Sequence, residues 1–444
     1  MRLTLTVLLV LCFAGTALAQ APNTPPPDER ALGEIIVTGS HVEHMTKLAV
    51  LPSLAPNIED VIVRSVVRHD FELSGMFEII SDNKAPPGNY QFDDPVDVDA
   101  WRKVGAEVIV KVAARKAKDN RVEVFGLAYF LDVGKEPVYE RRFTVAPEEL
   151  RITAHRVTDA LLGAITGRPG GFASHFAFST KWGRARRVFT MDSDGESLRP
   201  VTDADSTAIA PVWGPDGLLF FPESQHYSPY RLMVMAGAEI ERVDVPFRTS
   251  VYSVSFAKDP KTMALAVAQD GRSRIYVGTL GSKDFKAVSN TEIATDVAYS
   301  PSGKLAWIGG GSEQGTQRVI VDGKAVSPAG FTAASPTFCD TEDGIRLVYA
   351  VVVGGGRQDL VMSDERGHGI VRLTQGQGSN WAPSCSPDGR LLAFFSTRKS
   401  SPGLMMMSLK RYTTIRVNSQ LGESLNWARL PESTTLAEVA DKKP

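Results

Sequence analysis

The chain has 444 residues, of which 43% are hydrophobic and 23% are charged. This length and composition predict two or three folded domains and argue against a disordered protein. The formal net charge is −2, and no run of five or more like charges occurs in the sequence. The composition therefore gives no electrostatic signature of binding to nucleic acid or to anionic lipid.

The first 19 residues have the features of an export signal. Arg2 supplies a positive charge, an apolar run follows over residues 3–13, and residues 17–19 (ALA) form a small-residue cleavage site. The apolar run is shorter than the roughly 20 residues needed to span a bilayer, so we predict cleavage after Ala19 rather than a membrane anchor. Lipidation is not expected, because Cys12 lies inside the apolar run.

Residues 20–45 are predicted to form a flexible N-terminal segment. The stretch 20–34 (QAPNTPPPDERALGE) is rich in proline and polar residues, a composition typical of extended or disordered chain. The sequence EIIVTGS at its end is compatible with a short strand.

Residues 46–167 are predicted to form an α/β domain. KLAVLPSL reads as a buried strand, and residues 58–74 have apolar side chains at helical spacing with Gly75 as a cap. A short strand, a short helix ending at Gly105, a β-hairpin and a further strand follow. The last helix begins at Pro147 and ends at Gly167. Residues 168–171 then form a linker.

A repeat fills residues 172–431. Apolar anchor residues recur at intervals of 39 to 47 residues, and four of the six are followed by a short polar turn that contains glycine, such as Ser-Pro-Asp-Gly. The anchors are Trp213, Phe256, Tyr299, Phe338, Cys385 and Trp427. A period of about 40 to 45 residues with four short strands per unit is typical of a β-propeller blade.

The strands at the two ends of this region complete one another. Residues 176–203 supply three strands without an anchor, and the anchor at Trp427 has no following strands. The sequence therefore predicts an α/β N-terminal domain followed by a six-bladed all-β propeller, closed by strands from both ends and followed by a tail at 432–444. Closure removes the exposed sheet edges that invite aggregation.

Two cysteines remain after cleavage of the signal. Cys385 occupies an anchor position, whereas Cys339 lies one position after the anchor of the preceding unit. Side chains one position apart on equivalent strands point to opposite faces. We therefore expect no disulfide between them, although an exported protein is in a compartment that permits one.

The segments just before the inner strands are the candidate binding surface, because loops on a rigid scaffold commonly carry binding residues. Their residues are mostly small and polar, which suits a polypeptide partner: Thr207, Arg248, Thr249, Thr295, Asp296, Thr332, Ser379, Asn380, Glu423 and Ser424. The alternative is that they are solvated turns. The anchor aromatics favour packing between blades over a ligand cage.

No catalytic, cofactor or metal site is predicted. A propeller that caps a serine hydrolase would need a Gly-x-Ser-x-Gly turn, which the sequence lacks. His41 and His44 have no downstream partners of metal-site spacing, MDSDGES at 191–197 is an incomplete calcium loop, and the two Gly-Gly-Gly stretches lack a following Lys-Ser/Thr.

The order of these elements resembles the TolB family, the periplasmic propellers of the Tol-Pal envelope system. The similarity rests on LTQGQGSNWAPSCSPDGRLLAFFSTR (373–398), DGRSRIYVGTL (270–280), LSGMFEII (73–80) and ITGRPGGFASHFAFST (165–180). It covers nearly the whole chain after the signal.

The resemblance implies a non-enzymatic periplasmic adaptor without cofactor that supports outer-membrane integrity and constriction during cell division. Its propeller would bind the peptidoglycan-associated lipoprotein Pal, and the N-terminal segment, beginning with Gln20, Ala21, Pro22 and Asn23, would bind the inner-membrane protein TolA. Alternatives are a divergent propeller that binds another envelope protein or a cell-wall ligand in its channel, and a hydrolase of the prolyl-oligopeptidase type.

Overall fold

The computed structural model describes residues 28–35, 44–53, 57–310 and 316–429. The predicted export signal, the candidate TolA-binding residues Gln20, Ala21, Pro22 and Asn23, and the tail at 432–444 lie outside the described residues. Within the described residues, no helix combines the length and apolar character needed to cross a membrane.

A short N-terminal segment precedes the first domain. It contains a 3-10 helix at Glu29–Leu32 and strand β1 at Glu34–Ile35. Asp28 caps the helix, because its side chain accepts a hydrogen bond from the backbone N–H of Arg30 at 3.0 Å.

The α/β domain consists of a five-stranded sheet, two long helices and one short helix. In chain order its elements are β2 (Lys47–Val50), α1 (Ile58–Ser74), β3 (Glu78–Ile79), α2 (Val98–Val104), β4 (Val108–Lys116), β5 (Val122–Phe130), β6 (Tyr139–Val145) and α3 (Leu150–Thr166). The sheet order is β3-β2-β4-β5-β6, with β2 parallel to β3 and β4 and the remaining pairs antiparallel.

The helices of this domain end where the sequence predicts. Gly75, Gly105 and Gly167 each follow a helix in the left-handed conformation, which glycine adopts without steric cost. The apolar faces of α1 and α3 pack on β4 and β5 through residues that include Val67, Phe71 and Leu161.

The propeller consists of six sheets, which we number by their anchors from Trp213. Blade 6 contains β7 (His175–Trp182), β8 (Ala185–Asp192) and β9 (Arg199–Pro200). Blade 1 contains β10 (Ser206–Ala208), β11 (Val212–Trp213), β12 (Leu219–Gln225), β13 (Arg231–Ala236) and β14 (Glu239–Arg242). Blade 2 contains β15 (Val251–Phe256), β16 (Thr262–Gln269), β17 (Arg272–Thr279) and β18 (Phe285–Ala287).

The later blades follow the same pattern. Blade 3 contains β19 (Ile293–Tyr299), β20 (Leu305–Gly310), β21 (Arg318–Val321) and β22 (Lys324–Ala325). Blade 4 contains β23 (Ala333–Thr341), β24 (Gly344–Val352), β25 (Gln358–Asp364) and β26 (Val371–Arg372), and blade 5 contains β27 (Asn380–Cys385), β28 (Leu391–Ser396), β29 (Gly403–Ser408) and β30 (Thr414–Asn418). The last strand, β31 (Ser424–Ala428), is the inner strand of blade 6 and pairs antiparallel with β7.

The fold class and the closure of the ring are therefore confirmed. The anchors pack between blades as expected: the Phe256 ring of blade 2 lies 4.7 Å from the Phe220 ring of blade 1. Tyr299 likewise packs against blade 2, and Phe338 against blade 3. Each anchor thus faces the preceding blade.

The expectation about the cysteines is wrong, because Cys339 and Cys385 form a disulfide with their Cα atoms 5.4 Å apart. The two side chains do point to opposite faces of their own sheets. Neighbouring blades, however, stack with opposite faces in contact: Cys339 on blade 4 faces blade 5, and Cys385 on blade 5 faces blade 4. Opposite orientation is what brings the two sulfur atoms together.

The N-terminal segment also differs from the expectation of a flexible stretch, because residues 28–35 lie against blade 4. β1 pairs in parallel with the outer strand β26. Leu32 is fully buried in the cluster between blades 3 and 4, together with Phe331 and Tyr349. Proline-rich composition indicated flexibility but did not reveal this buried leucine.

Candidate functional site

The propeller has two faces, and the α/β domain covers part of one. The inner strands of neighbouring blades run in the same direction, because equivalent positions of these strands are hydrogen-bonded to each other. Val297 N donates to Ser253 Oγ at 3.3 Å, and Trp427 N donates to Ser384 Oγ at 2.9 Å. The α/β domain contacts the turns that follow the inner strands. Arg390, in the turn after β27, donates to Thr166 Oγ1 at 2.9 Å. We call this the domain face.

The opposite face carries the starts of the inner strands and the turns between the second and third strands of each blade, and we call it the open face. The predicted ring lies here, at or just before the starts of the inner strands. Its exposed members are Arg248, Thr249 and Glu423; the half-buried members are Thr207, Thr295, Asp296, Thr332, Ser379 and Ser424.

Asn380 is the exception, and the prediction that it belongs to an exposed surface is wrong. It is fully buried, and its Oδ1 accepts a hydrogen bond from Ser396 Oγ at 2.8 Å. Ser379 beside it ties blade 4 to blade 5, because its Oγ accepts a bond from Gln358 N and its N–H donates to Thr397 Oγ1. Both residues support the ring structurally.

The open face also carries two exposed aromatic residues that the sequence reading missed. Trp182, in the β7–β8 hairpin, is 53% exposed, and Tyr227, in the β12–β13 hairpin of the next blade, is completely exposed. The guanidinium of Arg187 lies 5.5 Å from the Trp182 ring, and Arg186 in the same hairpin pairs with Glu423 of the predicted ring. Aromatic residues within the polar turns KWGR and SQHYSPY were the signal that could have identified them.

The channel at the centre of the ring is narrow. Its cavity of about 270 Å³ is lined by the inner strands, including Asp296 and Ser335, and is smaller than the roughly 300–1,000 Å³ of typical small-molecule sites. Asp296 Oδ2 accepts a hydrogen bond from Ser335 N at 3.3 Å, and burial raises the pKa of its carboxyl group. This geometry disfavours a saccharide in the channel.

One group among the described residues has metal-ligand chemistry, and it lies between the two domains. Asp70, His155 and Asp194 place ligand atoms within 4.8 Å of one another, and all three side chains are buried. The stretch 191–197, an incomplete calcium loop in the sequence, contributes Asp194 to this group, whereas its first acidic residue, Asp192, pairs with Arg151 and His175. His41 lies outside the described residues, and His44 pairs with Glu107 at 3.1 Å.

Comparison with known proteins identifies relatives in one family. A family model described as the TolB amino-terminal domain matches residues 34–133. The Tol-Pal system protein TolB of Polaromonas naphthalenivorans is 30% identical over 161 residues, which are 35% of each chain. That of Dinoroseobacter shibae is 29% identical over 210 residues, 46% of each chain. The matched segments thus span about a third to a half of the length of these curated relatives.

The structural comparison extends the similarity of fold to most of the chain. The crystal structure of TolB from Acinetobacter baumannii superposes with a TM-score of 0.71 and 22% sequence identity, covering 87% of this chain and 97% of the other. At this identity the match shows a shared fold.

Proposed function

Because the chain belongs to the TolB family, we propose that it is a non-enzymatic adaptor of the Tol-Pal system in the periplasm. The observation that carries the proposal is the open face, a rigid ring of turns that the α/β domain leaves uncovered. Its exposed tryptophan, tyrosine and arginine side chains are the residue types that dominate binding energy at protein interfaces. The partner for this face is the globular domain of a Pal-like lipoprotein.

Trp182 and Tyr227 would form the anchor of that interface at the junction of blades 6 and 1. They lie on hairpins of adjacent blades, β7–β8 of blade 6 and β12–β13 of blade 1. The Arg186–Glu423 ion pair extends this patch towards the ring. The remaining polar ring residues, Thr207, Arg248, Thr249, Thr295, Asp296, Thr332 and Ser424, would form the hydrogen-bonding part of the surface.

The N-terminal segment is the second binding element of the proposal. Residues 20–23 would bind a TolA-like protein, and residues 28–35 hold the start of the folded chain against blade 4. Glu29 Oε2 pairs with Arg372 at 2.9 Å, and Glu29 Oε1 accepts a hydrogen bond from Gly354 N at 3.5 Å. Gly354 lies in the β24–β25 turn on the open face, so a partner that moves this turn would change how the segment is anchored. An order-to-disorder change of the segment would transmit the signal.

Calorimetric titration of residues 20–444 with the soluble domain of the Pal lipoprotein from the same organism tests the proposal. We expect saturable one-to-one binding that weakens at least about tenfold in Trp182→Ala and Tyr227→Ala. Val133→Ala is the matched control, because Val133 is an exposed apolar residue in a hairpin of the α/β domain. Absence of binding by the wild-type protein would contradict the adaptor function and favour a divergent propeller with another envelope partner.

A chemical probe addresses the enzyme alternative independently. Labelling of the purified protein by an active-serine reagent would support a hydrolase, and we expect none. Thermal stabilisation by cell-wall fragments alone would support the ligand-in-channel alternative.

A further inference from the structure

We propose that protonated His155 is a latch that holds the α/β domain in one orientation on the propeller. The inference goes beyond the adaptor function, because it concerns how the two domains are joined and does not depend on the identity of any partner.

Three elements meet at this residue. His155 lies on α3 and is 1% exposed; its Nδ1 donates to Oδ2 of Asp70 on α1, which is 0% exposed, at 2.8 Å. On the other side, His155 Nε2 lies 3.8 Å from Oδ2 of Asp194, which is 3% exposed and belongs to the turn between β8 and β9 of the propeller. The imidazole ring therefore lies between a helix pair of one domain, to which it is hydrogen-bonded, and a blade turn of the other, which it faces at 3.8 Å.

The surrounding charges require a proton on this ring. The groups that face the site are Asp70 from α1, Arg151 and Asp159 from α3, Asp192 and Asp194 from the propeller turn, and His175 from β7. Arg151 donates to Asp194 at 2.6 Å and to Asp192 at 3.2 Å. Thus one guanidinium pairs with two carboxylates, and among the described residues His155 is the cation that pairs with Asp70.

Asp159 cannot compensate the charge of Asp70, because it is itself an acidic group, and its carboxylate oxygens accept hydrogen bonds from Phe172 N and Ala173 N. Thr158 Oγ1 donates to Asp70 Oδ2 but carries no charge. A buried carboxylate without a cationic partner is strongly destabilising. Protonated His155 supplies the positive charge that the buried carboxylate of Asp70 needs, and the imidazolium directs one N–H towards each domain.

The direction of the pKa shift agrees with this geometry. Burial alone would lower the pKa of His155, but the carboxylate of Asp70, assisted by Asp194 and Asp192, outweighs burial and raises the pKa to about 9. The latch is therefore closed at neutral and acidic pH and opens as the pH rises through 9.

A metal ion is the competing explanation for the unpartnered Nε2 of His155. The contacts favour the proton, because Nδ1 already bonds to Asp70 and the oxygen of Asp194 that faces the ring already accepts a hydrogen bond from the Arg151 guanidinium. A cation placed there would lie next to that guanidinium.

The test combines three measurements on the mature protein, residues 20–444. NMR of the ¹⁵N-histidine-labelled protein follows the protonation of His155 between pH 5 and 10. Spin labels on Lys118→Cys in the α/β domain and Lys283→Cys in the propeller, both exposed positions, report the interdomain distance. Elemental analysis after purification without chelator reports bound metal.

We expect His155 to be an imidazolium at pH 7. The distance between the two spin labels should then have a single narrow distribution, which should widen about twofold or more above pH 9 and in His155→Gln at pH 7. His69→Gln is the matched control, because His69 lies next to Asp70 on α1 but is 41% exposed at the surface. If His155→Gln fails to fold, the pH series of the wild-type protein carries the test.

Three outcomes would overturn the proposal. One is a neutral His155 at pH 7, and another is a distance distribution that does not change when His155 loses its proton. The third is about one equivalent of metal that is retained by the wild-type protein and lost in His155→Gln.

Discussion

Cys339 of blade 4 and Cys385 of blade 5 join neighbouring inner strands through a disulfide whose Cα atoms are 5.4 Å apart. Both sulfur atoms lie in the apolar contact between the two blades, with Cys339 fully buried and Cys385 9% exposed. The same two blades carry the docked N-terminal segment and the Arg390 contact with α3. The disulfide therefore reinforces the part of the propeller that contacts the N-terminal segment and helix α3.

Replacing both cysteines with serine is expected to lower the free energy of unfolding by about 4 kcal/mol, because the bond closes a loop of 46 residues in the unfolded chain. Urea unfolding with circular dichroism measures the change. The control is wild-type protein in reductant, which should unfold at a midpoint close to that of the double variant. Equal midpoints for oxidised and reduced wild-type protein would contradict the role of the bond.

Stability should fall as the pH rises because of His155. Its pKa in the folded protein is about 9, above the ordinary value of 6.5. Protonation of His155 therefore adds its full contribution to the free energy of unfolding below pH 6.5, and this contribution is lost as the pH rises through 9. The contribution amounts to about 3 kcal/mol. Urea unfolding at pH 6.5 and pH 9.5 should show a larger loss in the wild-type protein than in His155→Gln. Parallel losses in the two proteins would count against the prediction.

The buried side chain of Leu32 should hold the N-terminal segment on blade 4. Leu32→Ala leaves a cavity beside Phe331 and Tyr349, and such truncations typically cost about 2–5 kcal/mol. We expect amide exchange of residues 32–35 to accelerate by at least about tenfold, while the unfolding midpoint of the propeller hardly changes. Leu198→Ala, at a position that is 41% exposed, is the control. Unchanged exchange in Leu32→Ala would show that the buried leucine does not hold the segment.

Two equivalent turn glycines should respond differently to alanine. Gly303 and Gly389 both have a positive φ, at 89° and 73°, so alanine strains either turn by about 1 kcal/mol. At Gly389 a Cβ would also lie 1.8 Å from Asp340 O, whereas at Gly303 it would meet nothing within 4 Å. Thermal unfolding should show a clearly larger loss for Gly389→Ala. Equal losses would mean that the close approach of blades 4 and 5 is absent in solution.

The sequence predicts the blades because their signals are local. Five of the six anchors precede a turn and an apolar strand at a fixed phase, and the sixth, Trp427, lacks the following strands that residues 176–203 supply, so the count of six and the pairing of β31 with β7 can be inferred without tertiary information. The helix caps Gly75, Gly105 and Gly167 are equally local.

The features that sequence reasoning missed depend on contacts between distant elements. The disulfide depends on which faces of two blades meet, and the His155 site joins residues from α1, α3 and blade 6. The inner strands also contain bulges at non-glycine residues of positive φ, namely Ala210, Asp296, Ser335 and Ala382. Alanine and serine do not indicate a left-handed conformation, so the surrounding ring must impose it at Ala210, Ser335 and Ala382.

The measurement that tests the adaptor function most directly is hydrogen–deuterium exchange of residues 20–444 with and without the soluble domain of the Pal lipoprotein. We predict protection of the open-face turns at 182–186, 225–230 and 353–357, together with a change of exchange in residues 28–35. Protection confined to the domain face, or no change in any of these segments at saturating partner, would contradict the account.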